Sequence, residues 1–173
     1  AACFDDPWSL PAMLEVLAMP AAAQEPVADN AEVAAMFAAD QGQRTGDNQD
    51  PEAGFKADKE RRARTRALYD SGELRTANDY FGAAFIFQHG TEPRDYLLAH
   101  ALAMRSLALG RKDAEWIAAA TLDRYLQSIG QPQAYGTQFR FPEEGGVTME
   151  PYDRALLSDA HRRATGVGDL AAQ

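Results

Sequence analysis

Apolar positions recur at helical rather than alternating spacing along most of this chain. Asn30 suits an N-cap, and Val33, Met36 and Phe37 form an apolar stripe on a helix over about 30–44. Asp50 and Pro51 open a second helix that runs to about 69 and stops at Ser71 and Gly72. Thr76 caps a third, ended by Gly90, whose Tyr80, Phe81, Phe85, Ile86 and Phe87 point to all sides and predict an element covered all round. Thr91 caps a fourth over 92–109, also apolar on most faces, and Asp113 a fifth over 114–129; Gly110 and Gly130 close them. Ser158 caps a last short helix through 164, before Gly166.

Helix-then-glycine units with short loops predict antiparallel helical hairpins. The fold class is mainly α, with about five to six helices. No tetratricopeptide-type signature recurs, so no repeat is assigned. After Gly130 the pattern changes: residues 136–141 alternate, and Gly145-Gly146 leads into Val147, Thr148 and Met149. That predicts a small β-hairpin or extended flap near 135–149. Residues 30–173 read as a single helical domain. Residues 1–29 read as a leader or tether, with a short helix to about 19 and a Pro- and Ala-rich linker after it.

The 173 residues suit one domain with room for a core. A net charge of −9 argues against a nucleic-acid partner, because neutralising phosphates needs clustered Lys and Arg. The one basic run, 59–66, sits among acids and reads as a solvated helix face. Cys3 is the single cysteine, so no intramolecular disulfide framework is available. Its place after Ala1-Ala2 looks like the end of a bacterial lipoprotein signal box. Lipidation of Cys3 would put the protein in the cell envelope, periplasmic or membrane-tethered. An ordinary free thiol on a cytoplasmic protein is the alternative. The apolar stretch 10–19 is too short to span a bilayer and contains Glu15.

Candidate chemistry centres on the segment 130–141, which gathers Gln131, Gln133, Tyr135, Thr137 and Gln138 around Gly136. Such amides, hydroxyls and glycine-permitted backbone suit hydrogen-bond recognition of a polar ligand, or a cap over the core. Gln88 and His89 end an apolar helix. His100 shares a stripe with Ala103, Met104 and Leu107 and reads as a core histidine satisfied by a carbonyl. Asp40 and Arg44 stand four apart on one helix face. Asp123 and Arg124 fall away from the stripe Ala118, Leu122, Tyr125, Leu126 and Ile129, so periodicity alone exposes them. Three histidines without tight ligand spacing make a metal site improbable, and no phosphate loop or nucleophile elbow points to a cofactor.

These pieces together resemble an uncharacterised, mainly helical bacterial domain family. The pattern runs from Met36 and Asp40-Gln41-x-x-Arg44 through Gln88-His89 and Leu122-Asp123-Arg124. It continues in Gly130-Gln-Pro-Gln133-x-Tyr135-Gly136-Thr137-Gln138 and ends in Arg162-Arg163 before Gly166, so it spans about residues 33–168. Ala134 stands where an aliphatic residue is expected. The resemblance implies that the polar pieces converge on one surface, and it brings no activity, cofactor or substrate.

Three functions fit. In a binding or interaction module, Arg44 and Arg124 would neutralise a carboxylate or phosphate-like group while Asp40, Gln41, Gln88, Gln133, Tyr135, Gly136, Thr137 and Gln138 line or orient the site. The partner would be a small polar ligand or a protein. In an enzyme, His89 would be a general base oriented by Asp123, with Arg124 or the Gly136–Thr137 amides stabilising negative charge during water attack on a small polar substrate. In a structural network, the same groups would fasten the flap to the helices.

Overall fold

The computed structural model describes residues 27–45, 50–143 and 145–172. Cys3 and the expected helix and linker before residue 27 lie outside these residues. The described residues hold six α-helices: α1 Ala31–Thr45, α2 Pro51–Asp70, α3 Ala77–Phe87, α4 Pro93–Ala108, α5 Ala114–Ser128 and α6 Asp159–Ala164, followed by a 3₁₀ turn, Leu170–Ala172.

Most ends follow the expected chemistry. Asn30 Oδ1 accepts the N–H groups of Glu32 and Val33, and Asp50 Oδ1 those of Glu52 and Ala53. Thr76 and Asp79 form a capping box on α3. The start of α4 differs. Glu92 rather than Thr91 is the N-cap, because Pro93 takes the first helical position and Asp95 Oδ2 reaches back to the N–H groups of Thr91 and Glu92. A Cβ on Gly90 would collide with Asp95, so the turn into α4 needs a glycine there. Asp113 makes no cap bond; its carboxylate pairs with Arg111 instead.

The core lies around α3, with Val33, Leu68, Phe81, Ala84, Phe87, Leu102 and Ile117 buried together. Phe37, Phe81 and Phe85 form an aromatic trio with centroids 4.8–5.6 Å apart. Burying side chains of this size contributes about 1.5–3 kcal/mol each before entropy is charged against it. Gly82 lets α1 approach: a Cβ there would lie 3.2 Å from Phe37 Cβ and 3.3 Å from Val33 Cγ1. Asp79, buried at the other end of α3, accepts N–H bonds from Asn30, Arg75 and Thr76 and so anchors the entry to α1. α4 is not covered all round, since Leu97 and Met104 are exposed on it.

The expected β-hairpin near 135–149 is not formed. Among the described residues there is no strand. Arg140 and Thr148 make one isolated antiparallel bridge, and Gln133 and Tyr152 one parallel bridge. The physical reason is competition for donors. A ladder along 136–141 needs N–H groups that side chains take instead, Thr137 N–H going to Asp123 Oδ2 and Gln138 N–H to Gln133 Oε1, which leaves only Arg140 paired with Thr148. No helix among the described residues is long and apolar enough to cross a membrane.

Candidate functional site

Two polar centres flank α5. The first is Asp123, fully buried although the stripe on its helix faces elsewhere. Residues 133–138 pack over this second face of α5. Gly136, at φ 72°, reverses the chain there, a conformation that favours glycine. The reversal delivers four donors to one carboxylate. Asp123 Oδ1 accepts the Ala134 and Tyr135 N–H groups at 2.7 and 2.9 Å; Oδ2 accepts the Thr137 N–H and hydroxyl at 2.9 and 2.8 Å. Gln133, also fully buried, uses its whole amide on the backbone. Its Nε2 donates to Gln138 O and Met149 O, and its Oε1 accepts the Gln138 N–H. The Tyr135 carbonyl accepts from Tyr152 Oη and Arg162 Nη1, so buried Arg162 holds the loop from the side opposite to its N–H bonds. Burial, with the Asp123 charge second, raises the Tyr135 hydroxyl above its ordinary pKa.

The second centre is the end of α3. A helix C-terminus exposes unsatisfied carbonyls and a partial negative charge. Here those carbonyls are gripped by side chains from α2, α4 and α5. Arg124 Nη1 donates to Gln88 O at 2.7 Å, Arg62 Nη1 to His89 O, and Tyr96 Oη to Gly90 O at 2.8 Å. Arg44 Nε donates to His89 Nε2 at 2.9 Å, which places the imidazole proton on Nδ1. Arg44 and Arg61 both bond Asp58. Asp40, buried between them, has only a bond from Gln41 Nε2, with Arg44 Nη2 3.4 Å and Arg61 Nε 3.7 Å from its Oδ1. That Oδ1 makes no hydrogen bond.

The protonation chemistry follows from this crowding. Burial first, then the Arg44 charge, pushes His89 down to about 3, so the imidazole is neutral near neutral pH. Burial raises Asp40 against the pull of Arg44. Burial would also raise Asp58, but the bonds from Arg61 and Arg44 hold it below its ordinary value. Arg124 is lowered by burial and by Arg44, even though the nearby Tyr96 acts the other way.

The expected residues therefore divide. Asp40, Gln41, Arg44, Gln88, His89 and Arg124 gather at the end of α3; Asp123, Gln133, Tyr135, Gly136 and Thr137 gather around the loop. Gln138 joins the two, accepting from Arg124 Nε at 3.0 Å and donating to Ala120 O and Thr137 Oγ1. His89 and Asp123 share no hydrogen bond or ion pair, so the expected His-Asp couple is not assembled. His100 Nδ1 lies 2.9 Å from the Ala118 carbonyl, the satisfied core histidine expected of it. Sequence reading placed Arg61 and Arg62 in the solvated run 59–66 and did not single out Asp58. Their i, i+3, i+4 spacing on α2, which turns all three one way, was the available signal. Among the described residues no group of three His, Cys, Asp or Glu could hold a metal ion. No protein-family profile matches the chain, and no curated protein or solved structure does.

Proposed function

We propose that the chain is a binding module for a small anionic ligand, with its positive centre at the arginine cage around residues 88–90. The observation that carries this reading is the charge balance there. Arg44 and Arg61 pair with Asp40 and Asp58, while Arg62 and Arg124 end on the carbonyls of His89 and Gln88, an excess of guanidinium in a chain of net charge −9. Among the described residues, Arg124 is bonded only to the neutral acceptors Gln88 O and Gln138 Oε1, with no carboxylate partner and no bond to its Nη2. A ligand carboxylate or phosphate oxygen at that nitrogen would gain a charge-assisted bond and offset the repulsion between Arg124 and Arg44. On the Arg44 side, a cavity of about 670 Å³ that Arg124 does not line is bounded by Arg44, Asp50 and Asp58 and walled by Ala53, Phe55 and Ala57.

The test is isothermal titration with inorganic phosphate, pyrophosphate and citrate at low salt, on wild type and Arg124→Gln. Saturable binding by wild type, weakened about tenfold or more in the variant, is expected. No binding by wild type, or equal affinity in both, rejects the reading.

The loop side supports a second reading, a structural network, through one observation: Asp123 and Gln133 are fully buried, and their bonds go to the loop's own backbone, the Thr137 hydroxyl and Met149 O. The two readings apply to different residues and coexist. Catalysis by His89 is disfavoured on two counts. The only lone pair on its ring is taken by Arg44, and a group titrating near 3 is a poor general base at neutral pH.

A further inference from the structure

We infer a second anion site, for a phosphate monoester, in the cleft between α2 and α4. The cleft has a volume of about 320 Å³ and is lined by Arg62, Ala63, Arg66, Phe87, Arg94 and Asp95. Arg62 and Arg66 are one turn apart on α2, an arrangement of like charges that costs helix stability when no anion lies between them. Each is positioned by a neighbour: Arg62 donates Nη1 to His89 O, and Arg66 Nε meets Asp70 at 2.9 Å. Arg94, across the cleft, makes no hydrogen bond or ion pair with any described residue.

The one carboxylate in the lining is already engaged. Asp95 Oδ2 accepts the N–H groups of Thr91 and Glu92 at 3.2 and 3.4 Å, which ties it to the start of α4. The positive end of that sixteen-residue helix opens on the same cleft and adds to the attraction. Arg66 is balanced by Asp70, but Arg62 and Arg94 have no carboxylate partner among the described residues, and two such guanidinium groups favour a dianion. Their planar forks match the several oxygens of a phosphate better than the two of a carboxylate. The Phe87 side of the lining is apolar, which leaves space for the alkyl end of an ester rather than for bare inorganic phosphate.

A phosphate monoester reaches a protein either as a small molecule or as a lipid headgroup, so the test has two arms. Glycerol 3-phosphate is titrated in solution, and phosphatidylcholine vesicles with and without phosphatidic acid are tested by co-sedimentation. Each arm uses wild type, the double variant Arg66→Ala/Arg94→Ala, and Arg124→Gln. Both replaced arginines of the double variant are exposed, and circular dichroism checks that the fold stands. Binding in either arm that falls at least tenfold in the double variant is expected, and the arm that responds identifies the source. Absence of binding in both arms, or unchanged affinity in the double variant, overturns the cleft. The site stands apart from the cage reading: loss in Arg124→Gln alone, with the double variant unaffected, would keep the cage and reject the cleft.

Discussion

Asp123 and Asp40 are both buried carboxylates on helices, and their surroundings could hardly differ more. Asp123 receives four hydrogen bonds from one loop, all between 2.7 and 2.9 Å. Asp40 receives one hydrogen bond, from Gln41, and otherwise relies on guanidinium groups at 3.4 and 3.7 Å. A carboxylate that is fully bonded to backbone fixes a chain path, because any movement strands several donors at once. A carboxylate held by side chains rather than backbone fixes no chain path, since guanidinium groups can regroup around an incoming anion. This contrast gives the loop side an architectural part and supports the proposed anion recognition at the end of α3.

The largest expected effect is Asp123→Ala. It leaves three buried N–H groups and a hydroxyl without an acceptor and should cost about 4 kcal/mol in urea unfolding. A loss below about 1 kcal/mol would mean the loop finds another path and that the contrast with Asp40 is unfounded.

The next effect is a pH dependence rooted in the cage. His89 titrates near 3 in the folded chain against an ordinary value of 6.5, so the unfolded chain takes the proton first as pH falls. Its contribution is fully present above about pH 6.5 and is lost progressively toward about pH 3, with a slope of at most about 1.4 kcal/mol per pH unit. Asp58, held below its ordinary value, adds loss of the same sign at the acid end; Asp40, held above, opposes it. Urea unfolding of wild type and His89→Gln from about pH 7 to about pH 4 measures this. The variant should show the flatter profile, and parallel profiles would take His89 out of the account.

The smallest effect is Thr137→Val, which keeps the shape but removes the hydroxyl between Asp123 Oδ2 and Gln138 Nε2. Three backbone or amide donors remain near the carboxylate, so a loss of about 1 kcal/mol with unchanged anion affinity is expected from the same unfolding and titration experiments. A fall in affinity as large as that of Arg124→Gln would show that the two centres are coupled through Gln138.

Much of the fold was legible because its signals are local. Asn30, Asp50, Thr76 and Ser158 cap the helices where their short polar side chains reach the first free N–H groups. Gly72, Gly110, Gly130 and Gly166 adopt positive φ where helices end. The alternating run after Gly130 misled because strand-like spacing does not say which acceptor will take the N–H groups, and one acceptor here, Asp123, is eleven or more residues away. The stripe on α5 misled in a similar way: Leu122, Tyr125 and Leu126 are only half-buried and Ile129 is exposed, while Asp123 is sealed.

By itself, then, the sequence determined the helices, their order and the residues with polar chemistry, because capping, helical period and composition act within a few residues. Only the tertiary structure decided that Asp123 faces a loop and not His89, and that arginines from α2 and α5 meet on the carbonyls ending α3 while one from α1 bonds the His89 ring. Those outcomes depend on which helix faces lie opposite one another, a property of packing at long range that no local pattern encodes.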